Sequence, residues 1–243
     1  MDDKDKTVDS KEELAEFLES THPLLQKFRE ACPGTFKHSQ ALANMAENVA
    51  IALGLDGAEL KVAALFHDCG KMLNPKYFTE NQLEDEDPHK DLDPRISYQL
   101  ITRHVSDSVM LLLAEENFPR RIIELIAAHH GTTIVKYFFR KSGSDIDDLY
   151  RYKTSKPKCT EAAILMITDH IEATTRSLSQ AGKLDSITAV IDNIINDLLD
   201  DGQLDEVVMK LGDLKKIKLA LAKEMEGTYQ KRVDYDKAGE EDE

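Results

Sequence analysis

The chain has 243 residues, 41% of them apolar and 32% charged, with a formal charge of −15. That length suits one globular domain with a real core, and the acidity argues against a general nucleic-acid binder or a duplex partner. No stretch approaches 18 consecutive apolar residues and the start, MDDKDKTVDS, is polar and acidic, which speaks against a membrane span or a signal peptide in this chain.

In chain order the pattern is helix after helix. Residues 1–20 form an acidic N-terminal segment, partly disordered, with a short helix over 11–29 interrupted at Pro23. Pro33-Gly34 reads as a turn delivering Thr35 as a helix cap. Leu42, Met45, Val49 and Leu53 then recur at helical spacing up to Gly54, a natural stop. Residues 58–69 make a second helix, apolar nearly all round and therefore central. The stretch 74–93 is polar and irregular. Asp93-Pro94 opens a helix to about His104, and 106–116 is another. Residues 120–130 form a helix ended by Gly131. A long aromatic-rich connection covers 132–157, with 133–139 a candidate extended piece. Helices follow over 160–178, 186–200 and 214–230. The domain is assigned to 21–230, with 231–243 an acidic disordered tail. The fold class is all-α.

Cys32, Cys69 and Cys159 are odd in number and far apart, giving neither a disulfide framework nor a CxxC metal site, so a reducing cytoplasm is expected. The excess of acid is not uniform. From 71 to 158 there are 14 basic and 14 acidic residues, and within 132–158 there are 7 basic against 3 acidic. That locally basic stretch suits an anionic ligand or, equally, a solvated loop.

A lone histidine on a helix is most often a packed or exposed residue. Three features depart from that pattern. His67-Asp68 ends the apolar run VAALF, so an imidazole and a carboxylate lie in or beside the core, which is costly unless they are paired or bound to a cation. His129-His130 follows ELIAA in the same way. Adjacent helical residues point about 100° apart, so one metal takes both only at a fraying end, which Gly131 supplies. Asp169 sits inside the apolar helical run AILMITDHIEA. With His38 and His104 near the ends of two further helices, five helices can aim ligands at one point. Seven N/O donors without a thiolate favour octahedral metals such as Fe or Mn over a tetrahedral zinc site.

The order His38, His67-Asp68, Asp169 resembles the H…HD…D signature of HD-domain phosphohydrolases, and His104 with His129-His130 is similar to the binuclear subgroup. The segments HPLLQKFREACPGTFKHS, HDCGK, YFTENQ, DPHKDLDP, ITRHVSDSV, HHGTTIVKYFF and DDGQLDE resemble the cytoplasmic domain of seven-transmembrane HD proteins, the PgpH-type cyclic di-AMP phosphodiesterases. The resemblance runs from about residue 21 to 219. It implies an HD-domain helical bundle with a binuclear metal centre, acting on a cyclic dinucleotide. Two departures stand out: Lys37 occupies a position where the branch usually has histidine, and the membrane sensor fused to such relatives is missing. An excised cytoplasmic domain or a soluble relative would both fit.

By this resemblance His38, His67 and Asp169 hold one metal, His104, His129 and His130 the other, and Asp68 bridges them. Lys71, four residues after His67, is assigned to the phosphate or the leaving oxygen. Thr132 and Thr133 can donate to phosphate or cap the next element. In the basic aromatic stretch, Lys136, Tyr137 and Arg140 are candidate substrate contacts, and Tyr150 and Tyr152 stand beside Arg151 and Lys153. Most aromatics in such a loop pack locally, leaving one or two for a base. His89 is placed near a second phosphate; His22 and His170 are structural or supporting, His170 pointing away from the ligands. The function implied is hydrolysis of cyclic di-AMP to linear pApA. The alternatives are another cyclic dinucleotide or nucleotide phosphate, or a non-catalytic nucleotide-binding signalling module. HHGTT in place of a GYP triplet argues against the cyclic di-GMP class, and a complete ligand set argues for an enzyme.

Overall fold

The computed structural model describes residues 10–83 and 86–238, and the side chains of 14–83 and 86–227. The expectations for 1–9 and 239–243 lie outside the described residues. Among the described residues there are ten α-helices, several 3-10 turns and one isolated bridge between Ile134 and Arg151, in agreement with an all-α fold.

Proline placement sets the first boundaries. Pro23 and Pro33 each open a helix at its first turn, where a missing N–H costs nothing. The segment expected over 11–29 is therefore two helices, α1 (Ser10–Leu18) and α2 (Pro23–Ala31). α3 (Pro33–Leu53) begins before Thr35, so Thr35 is not its cap. Its hydroxyl instead donates to Glu80 Oε1 at 2.9 Å, and its N–H to Asn81 Oδ1 at 3.1 Å. Gly34 permits that approach, because a Cβ there would lie 1.8 Å from the Glu80 carbonyl oxygen. Gly54, left-handed at φ 78°, ends α3.

Asp56 caps α4 (Gly57–Phe66), accepting from the Ala58 N–H. The α-helix stops at Phe66, short of the expected 69, and a 3-10 turn, Cys69–Leu73, follows. α5 (Pro94–Ala114), capped by Asp93, is one helix where two were expected, because no Gly or Pro interrupts it at 105–106. His104 thus sits mid-helix rather than near an end. α6 (Arg120–Ala127) stops before the histidine doublet, and Gly131 at φ 52° completes the turn.

The candidate extended piece at 133–139 is corrected. Only Ile134 pairs, and α7 (Lys136–Ser142) follows it, closed by left-handed Gly143. α8 (Thr160–Gln180), α9 (Ile187–Asp200, capped by Ser186) and α10 (Leu211–Ala238) complete the chain. α10 extends eight residues past the expected end, into the region read as a tail.

α4 is the central element, packed against α1, α3, α6 and α8. Leu60, Val62, Ala63, Ala64 and Phe66 are fully buried, each large side chain contributing about 1.5–3 kcal/mol. A smaller cluster of Tyr98, Phe138 and Tyr150 fastens α7 to α5. Cys32 and Cys69 are buried free thiols, and burial pushes both up to about 12. Among the described residues no helix is long and apolar enough to cross a membrane.

Candidate metal centre

The turn after α4 sets His67 and Asp68 at the bottom of a nest whose walls are α3 (His38), α5 (His104), the end of α6 (His129, His130) and α8 (Asp169). His38, His67, Asp68, His104, His129 and Asp169 are all buried, and His130 is nearly so. The donor atoms fall into overlapping groups in which all lie within 4.8 Å of one another. Asp68 stands with His104, His129 and His130, and also with His38 and His67, so it is common to both sides. Asp169 Oδ1 lies 3.0 Å from His38 Nε2 and 3.6 Å from His67 Nε2.

Ring nitrogens that face away from the nest are already engaged. His67 Nδ1 donates to Ala64 O at 2.8 Å and His104 Nδ1 to Ile101 O at 2.6 Å. His129 Nδ1 donates to Ile126 O, and His38 Nδ1 to Glu172. These partners hold a proton on Nδ1 and turn Nε2 inward, where it is a lone pair whenever the ring is neutral. The result is a crowd of acceptors. His104 Nε2 and His129 Nε2 are 3.5 Å apart, and they stand 3.1 and 3.9 Å from Asp68 Oδ1. Buried His67 Nε2 and Asp68 Oδ1 make no well-aligned hydrogen bond, although His67 Nε2 lies 3.1 Å from Asp68 Oδ2 and His104 Nε2 3.1 Å from Asp68 Oδ1. Converging buried lone pairs repel unless something positive sits among them, so the donor set fits a divalent cation.

Electrostatics divides the nest in two. Burial pushes His67 down, but the Asp68 and Asp169 carboxylates outweigh it and lift the imidazole to about 10. Burial opposes the charge on His38 too, but Asp169 and Glu172 outweigh it and raise that imidazole. Burial pushes His129 down to about 3, helped by His67 and His104, and holds His130 well below its usual range. Burial opposes ionisation of Asp68, yet His67, Lys71 and His104 hold it well below the carboxylate range. One side attracts positive charge; the other offers neutral lone pairs.

Lys71 enters from the 3-10 turn, three residues after Asp68, rather than along a continuing helix. Its ammonium bonds Asp68 Oδ2 at 2.7 Å and Glu80 Oε1 at 2.9 Å. Burial opposes its charge, but these two carboxylates push its pKa up. Lys71 also holds Glu80 down at about 2 against the opposing effect of burial.

The remaining sequence candidates fall in different places. His89 is buried between Tyr77 and Phe138, its Nε2 donating to Tyr77 O at 2.9 Å. Thr132 bonds Gln203 through both N–H and hydroxyl, and Thr133 Oγ1 donates to His130 O. Lys136 pairs with Asp197 at 2.7 Å on the surface, and Tyr137 and Arg140 are exposed beside it. Tyr152 stacks on His130 with ring centroids 4.3 Å apart, while Tyr150 joins the small core. His170 does not point away. Its ring lies 5.7 Å from that of His130, and His130, Asp169 and His170 have donor atoms within 4.8 Å of one another. Glu80, Glu172 and Gln203 were not found from the sequence.

These features define an HD-type centre, and the HD domain family model matches residues 35–174. The chain belongs to the HD domain family. Over 226 residues, 91% of the chain, it is 38% identical to the cyclic-di-AMP phosphodiesterase PgpH of Listeria monocytogenes. It is 34% identical to PgpH of Bacillus subtilis over 229 residues, 93% of the chain. It spans 31% and 32% of those two relatives. The crystal structure of the L. monocytogenes PgpH HD domain superposes with TM-score 0.79 at 38% identity, covering 86% of this chain and 100% of that one. The same domain in complex with cyclic di-AMP gives 0.77 at 37% identity, covering 86% and 97%.

Proposed function

We propose that this chain is a metal-dependent phosphodiesterase that hydrolyses cyclic di-AMP to linear pApA. The observation that carries the reading is the set of Nε2 atoms of His67, His104 and His129 gathered around Asp68, each ring fixed from behind by a carbonyl. In this reading His38, His67 and Asp169 would hold one divalent ion, His104, His129 and His130 would hold a second, and the Asp68 carboxylate would be shared by both. An all N/O donor set suits Fe or Mn. Such ions, when bound, supply an activated water and neutralise charge on the phosphate.

The chain's own residues do the rest. Asp68 stays ionised and offers one oxygen to each side of the nest. Lys71 has three N–H donors, two of them taken by Asp68 and Glu80, leaving one for a phosphate oxygen or the departing O3′. Its raised pKa makes it a fixed cation rather than a proton donor. Water adds to phosphorus, the P–O3′ bond breaks, and the proton goes to the departing oxygen. Thr132, Thr133, Lys136, Tyr137, Arg140 and His89 are assigned to the substrate beyond the cleaved phosphate. Glu172 is a positioning residue for His38. The chain acts in the cytoplasm, alone or as a domain of a longer membrane protein.

The test is to load the protein with Fe or Mn, offer cyclic di-AMP, cyclic di-GMP and a nucleoside triphosphate, and separate the products. Formation of pApA, fastest from cyclic di-AMP, is expected. Its absence under both metals sinks the reading.

A further inference from the structure

The 3-10 turn Thr79–Asn81 is joined to the start of α3 by hydrogen bonds whose donors and acceptors follow one from another. α3 begins without a side-chain cap of its own, which leaves the Thr35 N–H without a partner inside the helix. Asn81 supplies one from across the chain, its Oδ1 accepting at 3.1 Å. That fixes the amide orientation, and Nδ2 donates to Thr35 Oγ1 at 2.8 Å. With its oxygen accepting from Asn81, the hydroxyl sends its own proton to Glu80 Oε1 at 2.9 Å. The same oxygen accepts from the Lys71 ammonium, also at 2.9 Å. The main chain seats Glu80 as well, since its carbonyl oxygen lies where only a glycine at position 34 leaves room.

The far end of this run is where it bears on chemistry. A lysine ammonium is a point charge on a flexible four-carbon stem, and a single acceptor leaves its other two N–H groups free to turn about the Cε–Nζ bond. Lys71 has two acceptors at different places, Asp68 Oδ2 at 2.7 Å and Glu80 Oε1. Its third N–H is therefore aimed rather than swept. Phe78, next to the same turn, covers one side of the ammonium with its ring centre 4.9 Å from Nζ, and packs edge-on against His104 at 5.8 Å. Among the described residues Glu80 pairs with Lys71 and Thr35 and with no member of the histidine nest, so its influence passes through Lys71.

We infer that Glu80, held in place by Thr35 and Asn81, is the positioning residue that aims the Lys71 ammonium at the cleaved phosphodiester. This rests on the function proposed above. Without Glu80 the ammonium keeps its charge and its tie to Asp68 but loses its second fixed point. The loss falls on the step in which charge develops on the departing oxygen, rather than on binding.

The experiment measures kcat, KM and bound metal for cyclic di-AMP cleavage by metal-loaded wild type, Glu80→Ala, Lys71→Met and the double variant. Glu80→Ala is expected to lower kcat at least about tenfold, less than deletion of the ammonium does, with KM within about threefold and metal content kept. In the Lys71→Met background the same change is expected to cost nothing further, because no ammonium is left to aim. Thr35→Val and Thr35→Ser carry the test if Glu80→Ala does not fold. The first deletes the hydroxyl and is expected to lower kcat at least about threefold; the second keeps it and is expected to recover most of that loss. Wild-type kcat in folded Glu80→Ala, a loss carried over in full into the Lys71→Met background, or a loss that tracks departing metal overturns the positioning role and leaves the phosphodiesterase reading intact. Equal losses in Thr35→Val and Thr35→Ser do the same. Wild type that fails to cleave cyclic di-AMP overturns the functional reading and this inference with it.

Discussion

The histidine nest and the basic stretch at 132–158 both look like ligand sites in the sequence, yet the fold treats them in opposite ways. In the nest, backbone carbonyls take the outer ring nitrogens and leave the inner ones bare. In the stretch, six of its seven cations already have acceptors within the chain. Arg151 alone bonds Asp147, Asp201 and the Thr132 carbonyl. Lys141 reaches His89 O, Lys153 Asp148, Lys156 Gly202 O and Lys158 Glu206. Lys136 holds Asp197, and Arg140 remains exposed. Local charge excess is thus a weak guide to anion binding. A buried acceptor that its neighbours have left without a donor is a stronger one.

The contrast can be broken most decisively in the nest. Asp68→Ala is expected to cost at least about 10³-fold in kcat, since each side loses its oxygen of the shared carboxylate, and to lower bound metal measured by elemental analysis. Full activity would remove the bridging role. Lys71→Met keeps the stem and deletes the cation. A loss of roughly 10²–10³-fold in kcat is expected, the scale seen when one charge-stabilising donor is removed. Metal content should be retained. If activity instead follows metal content, Lys71 serves the fold rather than the reaction. Metal removal by a chelator is expected to lower Tm, because a ligand at 100 Kd adds about 2.7 kcal/mol to folding. That corresponds to roughly 5–10 °C at this chain length. An unchanged Tm would mean that the nest relaxes without a cation.

How far the sequence reaches follows the same division. His67-Asp68 and His129-His130 are legible because each ends an apolar run, so the burial of polar groups can be read locally. Glu172 is legible only in space: it supports His38 across 134 positions, and an acid on a helix gives no local sign of that. Gln203 meets Thr132 across 71 positions. Glu80 reaches Lys71 within nine, but along an irregular stretch whose path is set by the close approach at Gly34. α7 was misread because Ile134, Val135 and the aromatics after them favour extended chain. The signal against that was available: Arg140 and Lys141 in a last turn, followed by Gly143, are a helix C-terminus. His170 is separated from Asp169 by helical geometry, and its approach to His130, forty positions away, is a tertiary fact that local spacing does not carry.

The basic stretch offers smaller and opposite effects. Arg151→Met is expected to lower stability by about 2 kcal/mol, since charged hydrogen bonds to partly buried partners are lost, while KM for cyclic di-AMP moves less than about threefold. A large KM change with little loss of stability would return Arg151 to the substrate and dissolve the contrast.

The smallest effect is a pH dependence, and its sign is set by Asp201. Burial pushes that carboxyl up, but the hydrogen bonds from Arg151 and Gln203 outweigh it and hold it below the ordinary value of 3.8. A depressed folded pKa means that the unfolded chain takes up the proton first on acidification. The contribution of Asp201 is therefore complete above the unfolded value and is lost as pH falls through the folded one. Asp201→Asn is expected to be about 1 kcal/mol less stable than wild type at pH 7, measured by denaturant melts. That gap should hold down to about pH 4 and narrow below it. Because both proteins share every other titrating group, including the nest, the difference between their curves isolates the Arg151 pair. A gap independent of pH would assign the loss to packing. A gap that narrowed already near pH 6 would place the sensitive group among the histidines, tying the stretch to the nest rather than setting it apart.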